Sequence, residues 1–418
     1  MKKMIDSRNK QTIAVIGGGA AGLSSAIFAA RAAKADHKAV EINVYDKNPR
    51  VGKKILVTGN GRCNFTNENI SVCNFHGDSK LAYEVYSRFT YSDTEEFFHG
   101  IGVFPKADAA GRVYPMSSQA TAVLDALRCE CNKLGINEIC DTPITDIRRK
   151  GSGFLLNNSI YADKVILATG GKAAPVQGSD GSGFALLRPF GIECAPLLPA
   201  LTALICDKFT KSLKGIRAQG KITLRCDGRV IAEDTGEIQY TDYGLSGIPS
   251  MQVSRFASEA LNDNKTVYAH VDSAPCFSAD ELKNELLFVI KNNPSMPVEM
   301  LLSGIMPKKL GVFILSECSL NLSLRIGKLN SAVIDKIVTA VKNKKYIVSS
   351  VKGFNDAQVT AGGIRASEIN SRTMELKRIK GLHVAGEIVN VDGDCGGYNL
   401  QWAWSSAYVA GTSIIREN

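Results

Sequence analysis

Three stretches of the chain gather the residue types that hold phosphates, sugars and polar rings. The first is Gly17-x-Gly19-x-x-Gly22, with Ala20 and Ala21 inside it, directly after the apolar run Thr12 to Ile16 and heading a small-residue segment that reaches about Lys34. A glycine turn between a strand and a helix brings backbone up to a pyrophosphate. Gly17 permits the tight turn, Gly19 gives the approach, and Gly22 lets helix and strand pack closely. The helix N-terminus adds N–H donors and partial positive charge. A second apolar run, Val40 to Tyr45, ends at Asp46 and Lys47. A carboxylate there accepts ribose hydroxyls and disfavours a 2′-phosphate, so the expected dinucleotide is FAD or NAD rather than NADP. The competing reading is a tight turn without a ligand.

The second stretch, residues 52–67, holds Lys53, Lys54, Gly59, Gly61, Arg62, Cys63, Asn64 and Asn67. Its cations, glycines and amides suit a loop wrapped around a phosphate and a polar ring; an exposed basic loop has the same composition. The third, residues 386–404, combines Gly386, Glu387, Asp392, Gly396, Gly397, Asn399, Leu400 and Gln401 with both tryptophans. Gly396-Gly397 ahead of a helix makes another N-terminus that receives negative charge, here a flavin carbonyl edge. Between them, Thr169-Gly170-Gly171 after the apolar run 164–168 is a further point where backbone meets ligand. Gly178-Ser179-Asp180-Gly181-Ser182-Gly183 follows no strand and reads as a polar loop over a site. No catalytic residue is assigned: Cys63 has no CxxC partner and reads as structural, and Tyr243 and Tyr398 are proton donors or packing residues.

The elements that position these residues follow from pattern. Strand, glycine turn, helix and strand over residues 12–46 form a mononucleotide-binding unit. Residues 81–100 and 117–134 read as helices, and 164–168 as a further buried strand. From residue 194 prolines and short alternating stretches (221–225, 229–232, 266–271) indicate a β-rich segment. Ser278 with Glu281 is a capping box opening a helical region, followed by a helix over 330–343 and a strand at 346–351. A helix over 400–415 closes the chain. The fold class is therefore α/β: a Rossmann-like core made of both chain ends, with residues of about 195–355 inserted.

The 418 residues are 44% hydrophobic and 22% charged, which excludes a disordered tail or a disulfide miniprotein. Fifty basic against 41 acidic residues give +9, but the basic runs (148–150, 344–345, 377–378) are short and carry no interleaved aromatics. A nucleic-acid face is therefore not expected. Eleven cysteines without a CxxC pair and five scattered histidines give no metal site and fit a reducing cytoplasm. Lys2, Lys3 and the run Ile13 to Ala30 superficially imitate a signal peptide, but glycines interrupt the run. Nowhere do residues form an apolar span long enough for a membrane helix.

At these motifs the sequence resembles the HI0933-like, or BaiN-like, NAD(P)/FAD-dependent oxidoreductase family. The anchors are IGGGAAG at 16–22, GKKILVTGNGRCNFTN at 52–67, ILATGG at 166–171, TAGGI at 360–364 and GEIVNVDGDCGGYNLQWAWSSA at 386–407. The resemblance implies a glutathione-reductase-like FAD core (1–194 and 357–418), an inserted β-barrel-like domain (195–272 and 345–356) and a small helical domain (273–344). It implies FAD on the 17–22 fingerprint with Asp46 at the ribose, and Lys53, Lys54, Gly61, Arg62 and Asn64 along the cofactor. Ile144 takes the position whose backbone meets the adenine, while Glu387, Asp392, Gly397, Asn399, Leu400 and Gln401 hold the ribityl chain and the ring edge. Two departures stand out. Asp46 replaces the usual glutamate, and TDYGLSGIP at 241–249 replaces the more widespread FTH-x-GLSGP, removing its histidine. The TDYG form resembles the bile-acid-pathway branch without fixing a substrate.

The expected activity is hydride transfer between FAD and a small organic substrate in a cleft between core and insert, as a reductase fed transiently by NAD(P)H. The alternatives are a flavin oxidase of a small amine or hydroxy compound, and an RNA-binding or RNA-modifying flavoprotein. Substrate and oligomeric state stay open.

Overall fold

A computed structural model describes residues 10–416; Lys2 and Lys3 lie outside them. The chain divides into two compact units, one running up to Leu198 and resuming at Gln358, the other spanning Pro199–Ala357.

In the first unit, five parallel strands run in the spatial order Leu382–Val384, Lys164–Leu167, Gln11–Ile16, Val40–Tyr45, Asn137–Ile139. The central strand carries Ile13, Ala14, Val15 and Ile16, all buried, as a parallel strand covered on both faces requires. The chain leaves it in one direction for Val40–Tyr45 and later returns to its other side at Lys164–Leu167. Its carboxyl end is therefore a topological switch point, where open α/β sheets form a crevice.

The helix Ala20–Ala35 starts at this crevice and is buried on nearly every side. Its small residues let the C-terminal helix Tyr398–Arg416 come close: a Cβ on Gly411 would lie 2.4 Å from the Ser25 carbonyl oxygen. The single helix expected over 81–100 is two, Ser79–Tyr86 and Tyr91–Gly100. Thr90 restarts the chain as an N-cap. Its amide and hydroxyl both donate to Asp93, at 2.7 and 2.6 Å, a reciprocal cap that ends one helix and begins the next. Beyond the main sheet, Pro105–Ala107 and Arg112–Pro115 form a hairpin extended by Thr66–Asn67, and Phe75–Gly77 pairs with Val391–Gly393.

The second unit is a closed antiparallel barrel of Leu204–Cys206, Gly244–Ser246, Arg229–Tyr240, Arg217–Cys226, Val267–Asp272 and Lys344–Val351. Closure leaves no unpaired edge. The helices Ala279–Asn292, Lys308–Glu317 and Ser331–Lys342 lie between its last two strands in sequence and share its hydrophobic core. No helix among the described residues is long and apolar enough to cross a membrane.

Candidate functional site

A cavity of about 370 Å³ opens at the switch point of the first unit. One end is built by the glycine turn. Gly17 has φ +100°, donates its N–H to the Tyr45 carbonyl at 2.8 Å, and has no room for a side chain, since a Cβ would stand 2.5 Å from the Ala168 oxygen. Gly19, Ala20 and Ala21, at the start of the following helix, line the wall, and the first amides of a helix have no partner within it. Asp46 is buried, with Oδ2 accepting from the Gly18 amide at 2.8 Å and Oδ1 accepting from the Asn48 amide and side chain at 2.7 and 2.9 Å. A carboxylate has about four lone-pair sites, so one stays available to a sugar hydroxyl.

Lys47 and Ile144 also line this end, with Thr142, Pro143 and Thr145 beside Ile144. The polar loop 178–183 closes over it: Lys47 pairs with Asp180 at 2.6 Å. Burial raises the Asp180 carboxyl, but hydrogen bonds from Lys47 and Ser182 and the Lys47 charge outweigh this and hold it at about 2. Thr169 and Gly170 form the floor. The hydroxyls of Thr169 and Ser179, two lining residues, are buried and have no hydrogen-bond partner in the protein. Buried hydroxyls without partners are costly, and a ligand rich in donors and acceptors would satisfy them.

The other end is charged and apolar in turn. Lys54 pairs with Glu387 Oε2 at 2.7 Å, and the Thr360 amide donates to Oε1 at 2.8 Å, so both carboxylate oxygens are fixed. Lys53 reaches the Val176 carbonyl at 3.0 Å. Gly386, Asn399, Leu400, Trp402, Val391 and Val359 complete this wall. The Trp402 indole donates to the Gly386 carbonyl at 3.0 Å, and Asn399 clamps both backbone groups of Gly393 at 2.8 Å.

The cavity thus brings together Gly17, Gly19, Ala20, Ala21, Asp46, Lys47, Lys53, Lys54, Ile144, Thr169, Gly170, Gly386, Glu387, Asn399 and Leu400. Nine other residues expected along the cofactor stand outside its lining. Gly22 lies behind the turn, where a Cβ would be 1.8 Å from the Gly17 oxygen, and Gly171 backs onto Glu387. Gly61 and Arg62 are exposed, with the Arg62 guanidinium 4.7 Å from the Tyr114 ring. Cys63 is fully buried, and burial, partly offset by a hydrogen bond with Thr58, pushes its thiol up to about 12. Asn64 keeps a buried, partnerless Oδ1 close to Gly397, which itself presses on the Thr66 carbonyl. Asp392 is buried on the strand paired with Phe75–Gly77. Gln401 spends its amide on Thr66, Phe89 and Ser405. The Tyr398 phenol, raised by burial and by the charges of Asp394 and Cys395, sits 3.5 Å from the Asn69 carbonyl, while Tyr243 lies in the second unit under the Lys352 ammonium.

Several lining residues escaped the sequence reading: Asn48, Gln177, Gln358 and Val359. Gln358 and Val359 precede the TAGGI motif, and their place at the cavity is set by a strand that pairs across the unit, a long-range event without a local signal.

A parallel sheet with a glycine turn at its switch point, a buried acid at the end of the next strand and a polar far wall has the Rossmann-type fold. The model of the HI0933-like protein Rossmann domain matches residues 11–413, and the chain belongs to that family of flavin-dependent oxidoreductases. It is 38% identical over 405 residues, covering 96% of this chain and 98% of the relative, to a 3-dehydro-bile acid delta(4,6)-reductase of Clostridium scindens. A ribosomal RNA dihydrouridine synthase of Haemophilus influenzae is 28% identical over 417 residues, with coverages of 96% and 98%. Among solved structures, a 3-ketosteroid delta1-dehydrogenase from Sterolibacterium denitrificans aligns over 98% of this chain and 100% of its own at 12% identity and a TM-score of 0.49.

Proposed function

We propose that the cavity holds FAD and that the enzyme is an NAD(P)H-linked reductase of a small organic molecule. The observation that carries this reading is the continuous cavity from Asp46 past the glycine turn to Glu387 and Asn399, with the partnerless hydroxyls of Thr169 and Ser179 in its wall. Asp46 would accept from the adenosine ribose, the amides at the head of helix Ala20–Ala35 would meet the pyrophosphate, and Ile144 would flank the adenine. Glu387, with both oxygens held by Lys54 and Thr360, would present a fixed acceptor to the ribityl chain. The bound flavin supplies hydride chemistry, and the chain's residues orient it and exclude water. One dinucleotide fingerprint leaves NAD(P)H as a transient visitor. The relative at 38% identity, named as a reductase, supports this direction of electron flow. The eleven free thiols support a cytoplasmic setting.

The test is anaerobic visible absorption of purified protein before and after NADH or NADPH. A yellow protein that bleaches is the expected result. A yellow protein that stays oxidised transfers the reading to an oxidase or dehydrogenase, and a protein that takes up no FAD overturns it. The relatives named as ribosomal RNA dihydrouridine synthases support a second reading, an RNA substrate. Binding of RNA that weakens steeply with salt would favour it.

A further inference from the structure

We propose that the exposed face of the hairpin Pro105–Ala107/Arg112–Pro115 is the docking plate for a flat, apolar substrate that carries an anionic group. The inference rests on the reductase reading and adds to it a place and a chemistry for the substrate.

Strand alternation sorts the hairpin's side chains into two sets. Val113 and Pro115 point inward and are buried. Phe104, Lys106, Tyr114 and Met116 share the opposite face, with Lys106 in register with Tyr114 and the Met116 amide donating to the Phe104 carbonyl at 2.8 Å. Phe104 is 58% and Met116 62% exposed. Two large apolar side chains side by side in solvent, flanking a tyrosine, form a contiguous patch of the kind that marks a binding surface.

Its edge is cationic. The Arg62 guanidinium stacks 4.7 Å from the Tyr114 ring centroid, and Lys106 stands across the strand from the same tyrosine. Among the described residues neither makes an ion pair, and Arg62 spends only its Nε, on the Gly59 carbonyl at 3.3 Å. The hairpin's own acid cannot serve them, because Asp108 is taken by Arg112 at 2.8 Å and by the amides of Ala110 and Arg112. On the barrel, by contrast, Lys214, Arg217 and Lys221 pair with Asp242, Glu237 and Glu233.

One chain segment borders both the plate and the cavity. Lys53, Lys54, Ile55 and Thr58 line the cavity, and Gly59 and Arg62, next along the same segment, lie against Tyr114. A molecule lying on the plate would therefore sit against the segment that walls the cavity. Apolar area with two unpaired cations at its rim fits a small amphipathic acid. A nucleic-acid strand would call for a longer track of cations.

The test uses the full-length protein and a 3-oxo bile acid together with its methyl ester, with binding measured by calorimetry and bound flavin read from the visible spectrum. For the double variant Arg62→Gln/Lys106→Gln, Kd for the acid is expected to rise roughly tenfold, with Kd for the ester unchanged. Phe104→Ala/Met116→Ala is expected to weaken both ligands. All four positions are at least partly exposed, so the variants should fold and keep their flavin. Equal affinity of the double variant and the parent for the acid would overturn the proposal. So would binding of neither ligand, loss of flavin on Arg62→Gln (which would make Arg62 a cofactor residue), or displacement of the acid by a single-stranded RNA oligonucleotide in a salt-sensitive manner. Discrimination between acid and ester is readable on flavin-free protein, so a failure of the FAD reading is distinguishable from a failure of this one.

Discussion

The hydroxyl of Thr169 is buried and partnerless at the floor of the cavity, and Ser179 beside it has the same defect. A hydroxyl that bonds nothing within the protein contributes nothing to its stability beyond packing, so Thr169→Val, nearly the same shape, should leave the apo-protein as stable as before or slightly more so. If the hydroxyl serves the cofactor, the same change should weaken FAD binding by about 1 kcal/mol, between five- and tenfold. Fluorescence titration of apo-protein with FAD, set beside thermal denaturation, checks both halves. Asp46→Ala should behave differently, because its carboxylate already serves Gly18 and Asn48 in the protein itself. It should lower both apo stability and FAD affinity, each by roughly 1–3 kcal/mol. Asp46 was legible because a strand-ending acid after a glycine turn has a local signature. Thr169 was legible only as part of a glycine-flanked turn, since nothing in sequence says which hydroxyls will be buried without partners.

The element that organises the site is the turn from strand Gln11–Ile16 into helix Ala20–Ala35, and its tightest point is Gly22. A Cβ there would meet the Gly17 carbonyl oxygen at 1.8 Å, an overlap only backbone movement can relieve. Gly22→Ala should therefore cost about 3 kcal/mol or more and displace the amides at the start of that helix. Denaturant unfolding together with flavin content checks it, and native stability with full flavin would refute the role. The glycine spacing announces this turn because Gly22 answers to Gly17 five residues earlier and Gly17 takes a positive φ, although the Ala168 oxygen that also excludes a side chain at Gly17 lies far along the chain. The split of residues 79–100 into two helices was written less plainly. Thr90 and Asp93 form a cap, yet the apolar spacing runs on across it, and the continuous pattern concealed the break. Thr90→Ala should cost about 1 kcal/mol, read by thermal melting. A barrel-like insert was implied by the family resemblance and is present, but its closure is not legible in the local pattern. Alternation marks strands such as Arg217–Cys226, but it cannot say that Leu204–Cys206 pairs with Lys344–Val351, some 140 residues later in the chain.

At the scale of the whole molecule, the response to acid should be set first by one histidine. His383 lies on the strand at the edge of the five-stranded sheet, 1% exposed, with its Nδ1 2.9 Å from the Thr373 carbonyl. Burial depresses its pKa from 6.5 to about 4. The Thr373 carbonyl and Glu375 resist that shift, and Lys164 adds to it. The folded protein therefore keeps the ring neutral over a range in which the unfolded chain has already taken up a proton. Stability from this group is fully present above pH 6.5 and is lost as pH falls from there toward 4. Carboxylates act in a separate window. Asp180, held at about 2 against an ordinary 3.8, contributes stability that disappears only below the histidine's range. Urea denaturation of the parent protein at a series of pH values between about 7 and 4.5 should thus show a fall with the slope of one proton. His383→Gln, which keeps a polar group but cannot titrate, should flatten that slope while lowering stability at neutral pH. A parent protein whose stability is level across this interval would mean that water reaches His383 and that the edge of the sheet is looser than its burial indicates.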